Sequence, residues 1–377
     1  MAPNISTRKA DHIALAQNED VGFRQKGTLL DEVRLVHEAL PDLSLEDVDT
    51  TIEVLGKRLR APMFIAGMTG GSPQSKDINL QLAAIAEEMG IGFGLGSQRA
   101  MLLRPELSDT YRVRAVAPSV LLLGNIGVVQ ARDVEISRIE ALLDDVGADA
   151  LCVHMNPAME VVQPEGDRDF RGGLATFERL VSELRKPVIA KETGCGISRF
   201  TAKRLRRAGV RHVDVSGAGG TSWVGVEAKR ANREERSLGE LLWDWGIPTA
   251  ASVAMTSEVG MQTIIATGGV ATGLDIARAV AVGATAGGIA RPVIKALGQG
   301  GPAEARALVE RIMRELRAVM ALVGARDLRA LRAAPRTLGP ELQTWLTRGV
   351  DTPSASAICG FVRRALGRAV RGTTPWF

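Results

Sequence analysis

The residues best suited to chemistry cluster in "HMNPAMEVVQPEGDRDF", positions 154–170. His154 ends the apolar run "ALCVH", Asn156 stands two residues on, and acids follow at Glu160, Glu165, Asp167 and Asp169. Mg2+ takes one or two carboxylates and completes its shell with water and phosphate oxygens. Glu160 lies nearest the run and is the expected metal ligand. A solvated acidic loop is the plainer reading. Among these polar groups Met159 stands out, because a thioether is a weak acceptor and no donor.

Other loop tips carry matching chemistry. Gly268 and Gly269 in "ATGGVATG" sit between an apolar run and a helical pattern, with "GIARP" (288–292) after the next run. Glycines let backbone N–H groups approach a phosphate, and a helix N-terminus favours its charge. A pair of tight turns is the bland alternative. Lys191 and Glu192 in "AKETG" are charges in a buried context, which need a ligand or each other. Ser216, Thr221 and Ser222 in "SGAGGTSW", Asn125 in "GNIG" and Ser97 in "GSQR" offer neutral donors for a heterocycle. Of the four histidines, His154 has the best placement. Arg8 and Lys9, before His12, form a cationic pair that reads by pattern alone as a solvated tail.

Strand-length apolar runs must position these tips. They span 61–67, 90–96, 119–127, 150–156, 187–192, 212–217, 263–269 and 285–290. Near-continuous hydrophobicity is the mark of parallel strands buried on both faces. Helical patterns lie between them at 77–89, 133–146, 173–185, 198–208, 250–261 and 273–282. The polar residues follow strand after strand, and a (β/α)8 barrel gathers such loops on one face. A doubly wound sheet is the alternative, weakened by the lack of G-x-G-x-x-G after the first strand. The expected division is an N-terminal segment over 1–60, a barrel over 61–333 and a C-terminal helical tail over 334–377.

Composition sets the frame. The 377 residues are 45% hydrophobic and 4% aromatic with 41 glycines, which suits an α/β enzyme better than a β-sandwich. A net charge of +4 without a zinc-finger, RRM or KH signature argues against nucleic acid. The three cysteines lack CxxC spacing, and no apolar run is long enough to span a membrane. The expectation is a cytoplasmic protein.

Taken in order, "RKADHI", "AGMTGG", "GSQR", "GNIG", "HMNP…E…QPEGDRDF", "KETGCGIS", "VDVSGAGGTSWVGVE", "WGIPTA" and "ATGGVATGLDIARA" resemble the type 2, FMN-dependent isopentenyl-diphosphate isomerases over roughly residues 8 to 345. The resemblance implies FMN held by Met68, Thr69, Gly70, Ser97, Asn125, Lys191, Ser216, Thr221, Gly269, Val270, Ala271, Ala290 and Arg291. It implies a prenyl diphosphate among Arg8, Lys9, Arg99, His154, Asn156 and Met159, with Mg2+ on Glu160 and Glu227 as an acid near the flavin. His154 and Glu227 are then the expected catalytic pair. It also implies reduction of FMN by NAD(P)H and a homo-oligomer, a tetramer or octamer. The chain departs from the family at Met159, where Gln is usual, and at Ala271, where Arg is frequent. Two functions follow: the isomerase itself, or a paralogue with the same FMN and prenyl-phosphate site but altered chemistry or substrate. Gln163 is the nearest amide that could compensate for Met159.

Overall fold

Eight parallel strands pair edge to edge and close into a barrel. They are β1 (Met63–Ile65), β2 (Gly92–Gly94), β3 (Leu122–Gly127), β4 (Ala150–Met155), β5 (Val188–Glu192), β6 (His212–Asp214), β7 (Thr263–Ala266) and β8 (Ala286–Ile289). The structure, a computed structural model, describes residues 14–15 and 19–347. Ring closure is made where β8 pairs with β1, Gly287 opposite Met63 and Ile289 opposite Ile65. That pairing removes the open edges of a doubly wound sheet. Each strand falls inside one of the apolar runs, including the Gly-rich second.

The helices Pro73–Met89, Ile136–Val146, Gly173–Glu183, Arg199–Arg207, Thr249–Glu258 and Gly273–Ala281 alternate with the strands. Local signals start them. Ser72 accepts from Ser75 N ahead of Pro73, and Ser198 accepts from Thr201 N.

Side-chain parity explains why the polar tips converge. Phe64, Leu123, Cys152, Ile189, Ile265 and Ala286 pack inside the barrel. Their strand neighbours Leu151, Val153, Val188, Ala190, Ile264 and Ala266 pack outward with the helices. A hairpin, Ile52–Val54 with Lys57–Leu59, adds Val54 and Leu59 to the inner cluster. Lys57 anchors it by donating to Ser119 O and Val120 O, at the entry to β3. One end of the barrel is thus stoppered with apolar side chains. Two residues further along each strand, the same parity turns Asn125, His154, Lys191 and Thr267 inward at the other end.

Three features add to the sequence reading. The helical stretch beyond β8 begins at Arg291 and runs to Leu322, broken at Gly300 and Gly301, where φ of 70° at Gly301 precedes Pro302. The N-terminal segment holds a strand, Val33–Leu35, paired antiparallel with Arg336–Leu338. Short helices occupy segments outside the expected helical patterns: Arg99–Leu103, Pro157–Val162, Trp223–Arg230 and Arg233–Leu241. Helix Pro340–Leu346 follows, and residues 348–377 lie outside the described residues.

Candidate active site

The open end of the barrel holds a cavity of about 670 Å3, a volume in the range of cofactor and ligand sites. Its floor is the inward-facing layer: Asn125, His154, Lys191, Thr267 and Gly288. Residues Gly22 and Phe23 reach it from the N-terminal segment. That segment is strapped to the rim, where Phe23 N donates to Gly220 O, Trp243 Nε1 donates to Gly22 O, and Arg291 Nη2 donates to Glu19 O.

Lys191 is 8% exposed, and its Nζ lies 2.7 Å from Asp214 Oδ2. Asp214 Oδ1 also accepts from Thr267 Oγ1 at 2.5 Å and from Ser216 N at 3.3 Å. The cation at the floor is therefore held by an acid on the next strand. The alternative Lys191–Glu192 pair does not form. Strand parity turns Glu192 away from the cavity, where its Oε2 accepts from Thr193 N and Cys195 N, each at 2.5 Å. Burial pushes the Glu192 carboxyl up to about 8, against those two donors.

His154 Nδ1 lies 2.9 Å from Asn125 Oδ1. Asn125 Nδ2 donates to Leu95 O at 3.1 Å, so Oδ1 is the face toward the imidazole. The neutral ring then carries its proton on Nδ1 and presents Nε2 as an acceptor.

Helix Pro157–Val162 forms one wall. Asn156, Met159, Glu160 and Gln163 all line the cavity. Asn156 Nδ2 donates to Glu160 Oε1 at 2.7 Å, and Glu160 Oε2 accepts from Asp167 N at 2.7 Å. Asp167 Oδ2 in turn accepts from Gln130 Nε2 at 2.8 Å and meets Arg99 Nη1 at 3.5 Å. One network thus fixes an acid, an amide and a cation at the rim. Among the described residues no group of three His, Cys, Asp or Glu forms a metal cluster. Glu160 alone suits a cation that borrows its other ligands from a bound phosphate.

The opposite wall is backbone. Gly268 and Gly269 have φ of 97° and 83°, and Gly220 packs so closely that a Cβ there would meet Gly269 N at 2.3 Å. Side chains are excluded from this turn, and its bare backbone lines the cavity beside Val270, Ala290 and Arg291. Lys295 also lines the cavity and forms no hydrogen bond or ion pair among the described residues. Sequence reasoning missed it, along with Gln130, Trp223 and Phe23. Its position one turn beyond Arg291 on the same helix was the available signal.

Of the expected residues, Met68, Thr69, Ser97, Arg99, Asn125, His154, Asn156, Met159, Glu160, Lys191, Ser216, Thr221, Gly269, Val270, Ala290 and Arg291 meet at this cavity. Gly70, Ala271 and Glu227 do not line it. Gly70 packs against the Tyr111 ring. Ala271 N donates to Asp275 Oδ2, because Thr272 and Asp275 form the capping box of the next helix. Glu227 is fully buried and paired with Arg230 Nη1 at 2.8 Å. Ser222 is a helix cap, accepting from Gly225 N and donating to Trp243 O. Arg8, Lys9 and His12 lie outside the described residues.

Comparison with known proteins narrows the meaning of this site. Residues 2–107 and 137–336 match the family described as FMN-dependent dehydrogenase. An isopentenyl-diphosphate delta-isomerase of Methanosarcina barkeri is 44% identical over 89% of this chain and 92% of its own length. One of Methanothermobacter thermautotrophicus is 43% identical over 92% of this chain and 98% of its own. Among solved structures, a mandelate oxidase with (S)-2-phenylpropionate has a TM-score of 0.60 at 22% identity, covering 88% of this chain and 94% of that one. A mandelate oxidase variant with a monooxide FMN adduct gives 0.57 at 21% identity, covering 87% and 92%. These two likenesses support the barrel fold alone. On the family match and the identity of its relatives, the chain is an isomerase that belongs to the FMN-dependent isopentenyl-diphosphate delta-isomerase family.

Proposed function

We propose that this protein interconverts isopentenyl diphosphate and dimethylallyl diphosphate, with FMN in the barrel mouth and Mg2+ on the substrate. One observation carries the reading: the inward layer of Asn125, His154 and Lys191 and the wall of Asn156 and Glu160 share one cavity. The residues fit FMN. The glycine turn at Gly268–Gly269 suits its phosphate, and Met68, Thr69, Ser97, Asn125, Lys191, Ser216 and Thr221 surround the space for its ring. Bound and reduced by NAD(P)H, FMN supplies an acid–base group without net transfer of electrons.

The chain's own residues do the rest. Lys191, fixed by Asp214, sets a positive charge on the cavity floor, where it would face bound FMN. His154, oriented by Asn125, presents Nε2 to the substrate and can hold or release a proton there. Arg99 and Asn156 bind the diphosphate, as do Arg8 and Lys9. Glu160 would hold Mg2+, which would neutralise charge on the same diphosphate. Lys295 replaces part of the positive charge that Ala271 does not carry. Glu227 stands behind the wall, buried and paired with Arg230. The protein is also proposed to form a homo-oligomer, as the family resemblance implies. No described helix is long and apolar enough to cross a membrane, and Cys152 and Cys195 are free thiols. Both facts are compatible with a cytoplasmic enzyme.

The paralogue reading rests on Met159, which lines the cavity with a group unable to relay a proton. Proton NMR of isopentenyl diphosphate incubated with the reduced, FMN-loaded protein and Mg2+ separates the two. The dimethylallyl isomer forms if the proposal holds. Protein that keeps FMN but leaves the substrate unchanged supports the paralogue.

A further inference from the structure

The cavity face of helix Pro157–Val162 runs through Asn156, Met159, Glu160 and Gln163. That spacing of three, four and seven residues is one helical stripe. Asn156 and Glu160 are already joined to each other, and Glu160 also binds Asp167 N. Met159 Sδ lies 3.9 Å from Asn156 Nδ2 and offers a weak acceptor only.

Gln163 is different. Its residue is 4% exposed, and its backbone is satisfied: N donates to Met159 O at 2.9 Å, and O accepts from Gly166 N at 3.0 Å. Its side-chain amide makes no hydrogen bond among the described residues, yet it lines the cavity. The amide is not sealed off: among the described residues the buried side-chain atoms without a partner are Glu235 Oε2 and Arg278 Nε. Gln163 instead opens onto the cavity with its donors and acceptor uncommitted, available to what the cavity binds. The amide offers two N–H donors and one acceptor on a wall that also carries Asn156, Glu160 and His154.

We propose that Gln163 is a substrate-contacting residue whose Nε2 donates to an oxygen of the prenyl diphosphate. The assignment rests on the isomerase reading for the identity of that ligand. It also gives the stripe a polar amide one turn beyond the thioether, so Met159 does not leave this wall without a donor.

The test uses FMN-loaded protein carrying Gln163→Leu or the isosteric Gln163→Glu. Inorganic diphosphate with Mg2+ is titrated calorimetrically, KM for isopentenyl diphosphate is measured, and FMN affinity is followed by flavin fluorescence. Loss of a hydrogen bond to a charged oxygen predicts a roughly 10- to 100-fold weaker diphosphate Kd and higher KM in Gln163→Leu. A larger loss is expected in Gln163→Glu, with FMN affinity unchanged in both. Diphosphate binding within twofold of wild type in both variants overturns the proposal. So does a loss confined to FMN affinity, or wild-type protein that binds no diphosphate. Wild-type protein that binds diphosphate without isomerising the substrate overturns the isomerase reading alone. The effect of Gln163→Leu on diphosphate affinity then still decides the role of Gln163.

Discussion

Asp214→Asn removes the charge that holds Lys191 at the cavity floor. The two side chains are 7% and 10% exposed, and the ion pair is 2.7 Å long. At that distance unit charges attract by about 6 kcal/mol at an effective dielectric of about 20, and desolvation offsets part of this. Removing one partner strands a buried ammonium group, which costs about 3–5 kcal/mol. The asparagine keeps an acceptor for Thr267 Oγ1, so the loss falls mainly on Lys191. Against a total stability of about 5–15 kcal/mol, this variant still folds with little margin. Equilibrium urea unfolding of apoprotein, followed by tryptophan fluorescence, measures the loss. The double variant Lys191→Met with Asp214→Leu replaces both charges with apolar groups and recovers most of the stability. It nevertheless binds FMN poorly, because the cation at the cavity floor is gone. An Asp214→Asn protein within about 1 kcal/mol of wild type would refute the buried-pair argument. A double variant as unstable as the sum of the two single ones would do the same.

Four further outcomes follow from the site. Arg99→Met raises KM for the prenyl diphosphate roughly 10- to 100-fold, since charge-assisted hydrogen bonds are the strong ones, and leaves FMN affinity unchanged in fluorescence titration. Met159→Gln changes kcat by less than about threefold, because Gln163 already supplies an amide; emergence of activity from an inactive wild type would favour the paralogue. Chelation by EDTA stops turnover while the protein stays yellow, and added Mg2+ restores it; Glu160→Gln weakens the restoration. Glu192 bears on pH. Its carboxyl is raised from 4.5 to about 8, so the folded state binds its proton more tightly than the unfolded state does. The associated stability is complete below 4.5 and is lost as pH rises through about 8. Glu192→Gln therefore gains on wild type in urea midpoint across that window, and parallel pH curves would contradict this.

The barrel was legible because its strands are buried on both faces and read as continuous apolar runs. Even Gly92–Gly94, with little side chain to show, lies within its expected range. The convergence of polar tips at strand ends also follows from pattern alone. The helices laid over the barrel mouth were harder to see. Trp223–Arg230 begins at Ser222 and Arg233–Leu241 at Asn232, both true N-caps. Glycine and serine ahead of the first hid its start. The partner of Lys191 was missed for a different reason: Asp214 is 23 residues away and adjacent only after β5 pairs with β6. Sequence proximity suggested Glu192, but strand parity sends neighbouring residues to opposite faces. Ala271 and Glu227 show the converse limit, since a motif match identifies a position without saying where its N–H or carboxylate is already committed.

The central claim is that this site shifts a double bond without net electron transfer. FMN-loaded protein is reduced once, kept anaerobic in deuterium oxide, and given excess isopentenyl diphosphate with Mg2+. The account predicts dimethylallyl diphosphate in large excess over flavin, carrying solvent deuterium, with no further reductant consumed. Flavin that remains bound and reduced while no isomer forms would contradict it, and so would one reducing equivalent consumed for each product.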